Sequence, residues 1–395
     1  MGLWRSYGLH KVDLYIKKDF MSQDECSASA FKEAVAGGES PLLIDVRNRA
    51  DFEQWKIDLD GLQVMNVPYD ELLADEWKSP AFAALSKTKP IVVVCYRGNS
   101  SHIVSIHLRE QGFQARSLHG GMRAWGELYE THLIHTSKQF EIYQIARMGR
   151  GCLSYIIASD GKAMIVDPTR HLEPYLNLIK EKHWDVKLVV DTHAHADHIS
   201  GGKAIAEQLG ATYLLHPYDA VHPIDQLPAT IHFSPLWAGQ HLQLGKIELQ
   251  VMHLPGHTLG NVALLLDNHF LFAGDTLFIE SIGRPDLGGK GEAWTDLHYN
   301  SLKQLHALSE QIVLLPGHCK KECACKSLGE IKKQNKEFGL AQESQEVFKK
   351  HVLSHLPNFP EGYIDIKRIN LGLIEVTEDR ISKLEAGKNL CSISN

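Results

Sequence analysis

One stretch constrains this chain more than any other: Asp191-Thr-His-Ala-His-Ala-Asp-His-Ile-Ser200, which sets three histidines and an aspartate (His193, His195, Asp197, His198) within six residues. The apolar run before it, Val186-Lys-Leu-Val-Val190, reads as a buried strand. Ligand-type side chains at i and i+2, followed by an adjacent pair, suit a strand end turning into a loop with its groups converging on one point. A zinc-binding helix would instead space two histidines four apart around a glutamate. Imidazole together with carboxylate suits zinc, iron or manganese better than magnesium or calcium. A solvated histidine-rich turn is the plain alternative, and four such groups directly behind a buried strand argue against it.

Three later segments end the same way. Leu249-Gln-Val-Met-His-Leu-Pro-Gly-His257 and Ile312-Val-Leu-Leu-Pro-Gly-His318 each place a histidine past a strand and a Pro-Gly turn, and Phe270-Leu-Phe-Ala-Gly-Asp275 places an aspartate after an apolar strand. Singly, each reads as a capping or core-polar residue. Together, the order H-x-H-x-D-H, H, D, H resembles the metallo-β-lactamase superfamily over nearly the whole second part of the chain. That resemblance implies an αββα sandwich with a metal at the shared edge of its sheets. It leaves two chemistries open. In hydrolytic, glyoxalase II-like members two zinc ions are held, one by His193, His195 and His257, the other by Asp197, His198 and His318, with Asp275 bridging. In persulfide dioxygenases a single Fe(II) uses His193, His257 and Asp275, while His195, Asp197, His198 and His318 orient ligands and water.

The bulk numbers bound the setting. A length of 395 residues suggests two or three domains, and 44% apolar with 23% charged residues is ordinary for a protein with a real core. The net charge of −7 argues against a nucleic-acid surface. No apolar run approaches the ~20 residues of a membrane helix, and Met1-Gly-Leu-Trp-Arg-Ser-Tyr-Gly-Leu-His10 lacks the apolar centre of a signal peptide. Seven dispersed cysteines do not form a disulfide framework and favour a reducing cytoplasm. A homo-oligomer is compatible with all of this.

The first third alternates strands and helices: a helix over Ala28–Ala36, strands over Pro41–Arg47, Ile91–Cys95 and Ala115–Leu118, a helix over His102–Gln111, and a second helix opened by His119-Gly-Gly-Met-Arg-Ala-Trp125. That pattern predicts a parallel sheet with helices on both faces. Cys95 falls at the carboxyl end of a parallel strand, before the small-residue loop Tyr96-Arg97-Gly98-Asn99-Ser100-Ser101. Sheets of this class place their sites there, and backbone N–H groups at the following helix would favour a nucleophilic thiolate. A small buried sheet cysteine is the bland reading. Leu43-Ile-Asp45-Val-Arg47, the Cys95 loop and Gly120-Gly-Met-Arg-Ala-Trp125 resemble a single-domain rhodanese, a thiosulfate sulfurtransferase, over about Ser22 to Glu130. Phosphatases of the same fold carry a C-x5-R loop. Here Ser101 takes the arginine's place, so a bidentate phosphate clamp is missing. The resemblance implies that Cys95 accepts sulfane sulfur from a donor such as thiosulfate and passes it to a thiol such as glutathione, with loop amides and Arg97 holding the donor.

The polar stretch Glu130 to Lys138 reads as a short junction, dividing a rhodanese domain (1–134) from a metallo-β-lactamase-fold domain with a C-terminal helical extension (135–395). Within the second domain, Ser281-Ile-Gly-Arg284-Pro-Asp286-Leu, Gly149-Arg-Gly-Cys-Leu-Ser-Tyr155 and Tyr363-Ile-Asp-Ile-Lys-Arg-Ile-Asn370 resemble persulfide dioxygenases. The fusion adds weight, since a domain making a persulfide would feed one that oxidises it with O2 to sulfite. Glutathione or another small thiol is then the carrier. Arg284 has two readings: a cation for the substrate's carboxylate, or a structural partner of Asp286. Cys319, Cys323 and Cys325 read as incidental free thiols, and Cys152 and Cys391 as structural.

Overall fold

In a computed structural model of the chain, the described residues are 24–75, 77, 80–83, 85–319, 325–360 and 362–393. The readings of Met1–His10, of Ser22 and of Cys323 fall outside them. The first sheet is formed by β1 (Glu25–Cys26), β2 (Leu42–Asp45), β3 (Gln63–Asn66), β4 (Ile91–Val94) and β5 (Ala115–Leu118), in the order β1-β5-β4-β2-β3. Every pairing in it is parallel. The strands β2 and β4 are buried at each position, as continuous apolar runs in a two-sided sheet must be. Alternation then divides the core. Leu43, Val92 and Val94 pack with Phe31, Met122 and Trp125 on one side, and Ile44, Ile91 and Val93 with Leu72, Val104 and Leu108 on the other. Helices Ala28–Ala36 and Gly121–Gly126 supply the first side, Tyr69–Ala74 and Asn99–Glu110 the second.

The second unit is built from two sheets. One contains β6 (Tyr129–Thr136), β7 (Glu141–Arg147), β8 (Cys152–Ser159), β9 (Lys162–Val166), β10 (Asp185–Val190), β11 (Thr212–Leu215) and β12 (Ser234–Pro235), ordered in reverse from β12 to β6. The other runs β13 (His241–Leu244), β14 (Ile247–His253), β15 (Val262–Leu266), β16 (Phe270–Gly274), β17 (Val313–Pro316) and β18 (Lys326–Ser327) in sequence order. Between the sheets lies a core in which Ile142, Tyr155, Ile157 and Val166 meet Leu249, Val251, Leu264 and Phe272. Outside the first sheet, Tyr175, Leu178 and Ile205 from helices Glu173–Lys182 and Gly202–Leu209 cover Ile145, Ile156 and Val189. Outside the second, Leu302 and Leu305 of helix Gly291–His306 cover Ala263, Leu271 and Leu314. The αββα layering expected from the sequence is therefore present, and the parallel-sheet unit precedes it as expected.

The stretch read as a polar junction folds differently. Tyr129–Thr136 is a full edge strand, paired antiparallel with β7, so a division after residue 134 passes through a strand of the seven-stranded sheet. Its polarity reflects an edge position, with Glu130 reaching Lys32 of the first unit, rather than a linker. Helices Gly362–Asn370 and Glu378–Leu384 and the segment after them lie back on the metal-type motif, as the tail was expected to do.

The units are docked by polar anchors. Trp55 Nε1 donates to the Gly149 carbonyl at 3.1 Å, Arg147 Nε to the Gly126 carbonyl at 2.7 Å, and Lys32 Nζ to Glu130 at 2.8 Å. Burial by itself would raise the Glu130 carboxyl, but hydrogen bonds from His132 and Lys32 outweigh it and hold it at about 2. A folded value below the unfolded one, ~4.3, means this contact stabilises fully above that pH and is lost as the pH falls through the folded value. Glu130→Gln should therefore cost ~1.5–3 kcal/mol at neutral pH, the range for a hydrogen bond to a charged group. Urea unfolding should show the gap to the parent closing as the pH drops from roughly 4 towards 2.

Candidate active sites

Cys95 follows β4 directly and is 7% exposed. The Gly98 N–H donates to its Sγ at 3.1 Å, and the Ser101 hydroxyl lies 3.4 Å from it. Ser101 is also 3.0 Å from the Gly98 carbonyl and shares a 2.9 Å bond with the Ser117 hydroxyl. The Gly98 N–H aimed at the sulfur suits an anionic sulfur there, and the single Ser101 hydrogen is shared between that sulfur and the Gly98 carbonyl. The loop closes on Gly121, where an added Cβ would meet the Cys95 carbonyl oxygen at 2.1 Å. Only glycine fits at that approach, which places the amides of Met122 and Arg123 on the Cys95 and Tyr96 carbonyls at 2.9 and 3.0 Å. Tyr96 is half-buried, Asn99 and Arg97 are exposed, and Ser100 starts the helix beside Asn99. Arg97, which the resemblance implied would help hold the donor, forms an exposed ion pair with Asp379 of helix Glu378–Leu384.

The second cluster gathers at the carboxyl edge of both sheets. The loop after β10 brings His193, His195, Asp197 and His198; the turns after β14, β16 and β17 bring His257, Asp275 and His318. All seven are buried. Gly317 permits the close approach, since a Cβ there would strike Asp275 Oδ1 at 2.4 Å.

Hydrogen bonds divide this set. His318 Nδ1 lies 2.9 Å from Asp275 Oδ1, and its Nε2 lies 2.9 Å from Asp197 Oδ2, so both ring nitrogens are engaged. His257 Nδ1 donates to the Arg284 carbonyl at 2.9 Å. The Thr192 hydroxyl gives its hydrogen to Asp167 Oδ2 at 2.8 Å and so accepts from His193 Nδ1 at 3.0 Å. Those bonds fix both tautomers and turn Nε2 of His193 and of His257 inward as lone pairs. Asp275 Oδ2 stands 3.7 and 3.4 Å from them, and none of these three buried atoms has a hydrogen-bond partner. Such orphaned atoms are costly unless a cation occupies the space between them. Burial and neighbouring imidazoles keep His193 and His257 neutral, whereas Asp275, despite burial, is held well below the usual carboxylate range by His318 and His193. Neutral imidazoles and an ionised carboxylate are the states a divalent metal requires.

His195 points elsewhere. Its Nε2 is 3.3 Å from Asp167 and 3.8 Å from Asp191, forming a separate grouping with those carboxylates. A third grouping joins Asp197, His198 and His318 to Cys152, whose Sγ is 3.4 Å from Asp197 Oδ2. Burial and Asp197 push this thiol up, but His198 and His318 outweigh them and bring it to about 7. Cys152 was read as structural because nothing in the sequence brings the start of β8 to the other strand ends. Neither Cys319 nor Cys325 forms a disulfide among the described residues. Arg284 resolves to the structural reading. It is fully buried; Nε and Nη2 clasp Asp286 at 2.7 and 2.8 Å, and the other N–H groups reach the carbonyls of Pro357, Asn358 and Leu390. No N–H remains for a substrate carboxylate. Sequence reasoning also missed Asn389, which donates to Asp197 Oδ2 at 2.6 Å from 192 residues away.

A buried imidazole–carboxylate metal cluster on an αββα sandwich, preceded by a cysteine loop on a parallel sheet, defines a fused two-site enzyme class. Comparison with known proteins agrees. The metallo-beta-lactamase superfamily model matches residues 147–318 and the rhodanese-like domain model residues 27–128. An uncharacterized protein of Mycobacterium leprae is 32% identical over 193 residues, which are 42% of this chain and 86% of that one. A hydroxyacylglutathione hydrolase of Pelagibacter ubique is 27% identical over 252 residues, 61% of this chain and 96% of the relative. Among solved structures, a metallo-beta-lactamase from Staphylococcus aureus superimposes with a TM-score of 0.54 at 26% identity, over 61% of this chain and 74% of that one. ETHE1 from Myxococcus xanthus gives 0.51 at 25% identity, over 58% and 98%. The chain thus carries a rhodanese-like domain over residues 27–128 followed by a metallo-beta-lactamase superfamily domain over residues 147–318.

Metal loading should be visible as stability. Adding Fe(II) or Zn(II) anaerobically to metal-depleted protein should raise the melting temperature, with ~2.7 kcal/mol gained at about a hundred times Kd. Asp275→Asn should remove most of that gain in differential scanning fluorimetry.

Proposed function

We propose that this protein is a sulfur-metabolising enzyme that moves sulfane sulfur through Cys95 and oxidises a small-molecule persulfide with O2 at one Fe(II) held by His193, His257 and Asp275. The observation that carries the reading is the convergence of three unpartnered atoms, His193 Nε2, His257 Nε2 and Asp275 Oδ2, while His318 is fully engaged. Fe(II) on two imidazoles and one carboxylate supplies the redox chemistry that joins O2 to sulfur. In the first reaction the Cys95 thiolate attacks the outer sulfur of thiosulfate, the S–S bond breaks, and sulfite leaves with the electron pair. A thiol such as glutathione then attacks the outer sulfur of the Cys95 persulfide and frees the thiolate. The Gly98 amide and Ser101 hydroxyl hold the anionic sulfur in both steps. In the second reaction one persulfide, one O2 and one water give one thiol, one sulfite and two protons. His318 and Asp197 hold Asp275 in place, and the Arg284 carbonyl and Thr192 hydroxyl fix the imidazoles. The free cysteines fit a cytoplasmic setting.

A second reading, a dinuclear zinc hydrolase of glutathione thioesters fused to a sulfurtransferase, is favoured by the name of the Pelagibacter relative and by the unpartnered His198 Nε2 beside Asp197. Metal analysis after anaerobic purification, with O2 uptake on glutathione persulfide, separates the two. One iron per chain and uptake are expected; two zinc ions, no uptake and turnover of a glutathione thioester would establish the hydrolase instead. Cys95→Ser should reduce thiosulfate-to-glutathione transfer to background and leave O2 uptake on supplied persulfide intact. His257→Ala should do the reverse.

A further inference from the structure

Three consecutive residues of helix Glu378–Leu384 pair with three different elements. Glu378 meets Arg170, and Arg380 meets Asp365 at 3.1 Å, both partners lying in the second unit. Asp379, between them, crosses to the first unit. Its Oδ1 pairs with Arg97 Nη2 on the cysteine loop, while its Oδ2 takes the Lys383 ammonium at 2.9 Å. One carboxylate thus sits between two cations, one from each unit.

The cysteine loop sets where this group lies. Arg97 is two residues beyond Cys95, a backbone separation of at most ~7 Å, and the next amide, Gly98 N–H, is 3.1 Å from the Cys95 sulfur. Arg123, whose amide bonds the Tyr96 carbonyl at 3.0 Å, is engaged by Glu127 at 3.1 Å. Arg97 has only an exposed partner: its side chain, that of Asp379 and that of Lys383 are 54%, 49% and 61% exposed. Water and salt screen such pairs, so they contribute little and exchange readily. A free anion of higher charge can therefore take the place of Asp379. The helix does not depend on this contact, because Glu385 is buried against Arg147 and Arg170 and the two flanking pairs stay in the second unit.

We propose that Arg97 and Lys383 form a two-cation clamp for the oxyanion end of the sulfur donor, and that Asp379 is its internal competitor, holding the clamp until a dianion displaces it. The ligand class is a small dianion with several oxygens on sulfur. It offers an oxygen to each cation, as Asp379 does, with twice the charge. That the anion is thiosulfate rests on the Cys95 sulfur-transfer reading above; the clamp itself does not. When the thiolate attacks the outer sulfur, the electron pair of the S–S bond goes to the departing sulfite, so charge grows at the end the clamp holds. The second unit thereby takes part in the first reaction, since Asp379 and Lys383 both come from its C-terminal segment.

The test uses the full chain, with thiosulfate as donor, dithiothreitol as an uncharged acceptor and sulfite release as the readout. Asp379→Asn removes the competitor and should lower KM for thiosulfate by up to about fivefold, the range an exposed ion pair supplies, with the change in KM and not in kcat. Arg97→Gln and Lys383→Gln should each raise KM, and in the Arg97→Gln background Asp379→Asn should have no further effect. A second measurement needs no sulfur transfer: the alkylation rate of Cys95, located by peptide mass spectrometry, with anionic iodoacetate and with neutral iodoacetamide. The ratio of the two rates should rise in Asp379→Asn and fall in Arg97→Gln. An unchanged KM or an unchanged ratio in Asp379→Asn overturns the proposal, as does a joint fall in kcat and melting temperature at constant KM, the mark of a merely structural pair. If the parent protein moves no sulfur from thiosulfate while the ratio still follows Asp379 and Arg97, the clamp stands and the sulfur-transfer reading falls.

Discussion

The two oxygens of Asp275 have different partners, and the rest of the second site follows from that division. A fully buried carboxylate must be matched by donors or by a cation. Oδ1 is matched by His318, which spans to Asp197 and so ties the turn after β16 to the turn after β17 and to the loop after β10. Oδ2 faces only the lone pairs of His193 and His257. His318 thus takes up Oδ1, and Oδ2 is left to the imidazole pair. The hydrogen bonds therefore bear on the chemistry as much as the ligand identities do.

The same network binds the C-terminal segment into both sites. Glu385 is buried between Arg147 and Arg170 and accepts from the Ile199 amide; Asn389 reaches Asp197; Arg150 bonds both the Gly387 and Asp197 carbonyls. Burial would raise the Glu385 carboxyl, but the two guanidinium groups hold it well below the usual range. A few residues earlier, Asp379 pairs with Arg97 on the cysteine loop. One continuous stretch of chain thus touches the loop of the first site and the carboxylate network of the second, which gives the two units a fixed mutual placement rather than a tether.

Much of this was legible in one dimension. Period and length mark the strands, and the helix Ala28–Ala36 falls where the sequence places it. The positions after buried strands identify Cys95 and the cluster of His193, His195, Asp197, His198, His257, Asp275 and His318, because a strand end is a local property. The edge strand Tyr129–Thr136 was not legible. Its residues are polar for an edge position, and a period-2 reading cannot separate that from a short linker.

What the sequence determined alone was the set of elements, their order and the types of side chain at each strand end, since these depend on neighbours within a few residues. What only the tertiary structure decided was how those side chains are shared out. Arg284 goes to Asp286 and not to a ligand, His318 to Asp275 and Asp197, and Cys152 to Asp197. Those pairings join residues far apart in the chain, and each is chosen by competition among buried charges for a limited number of partners, which no local pattern records.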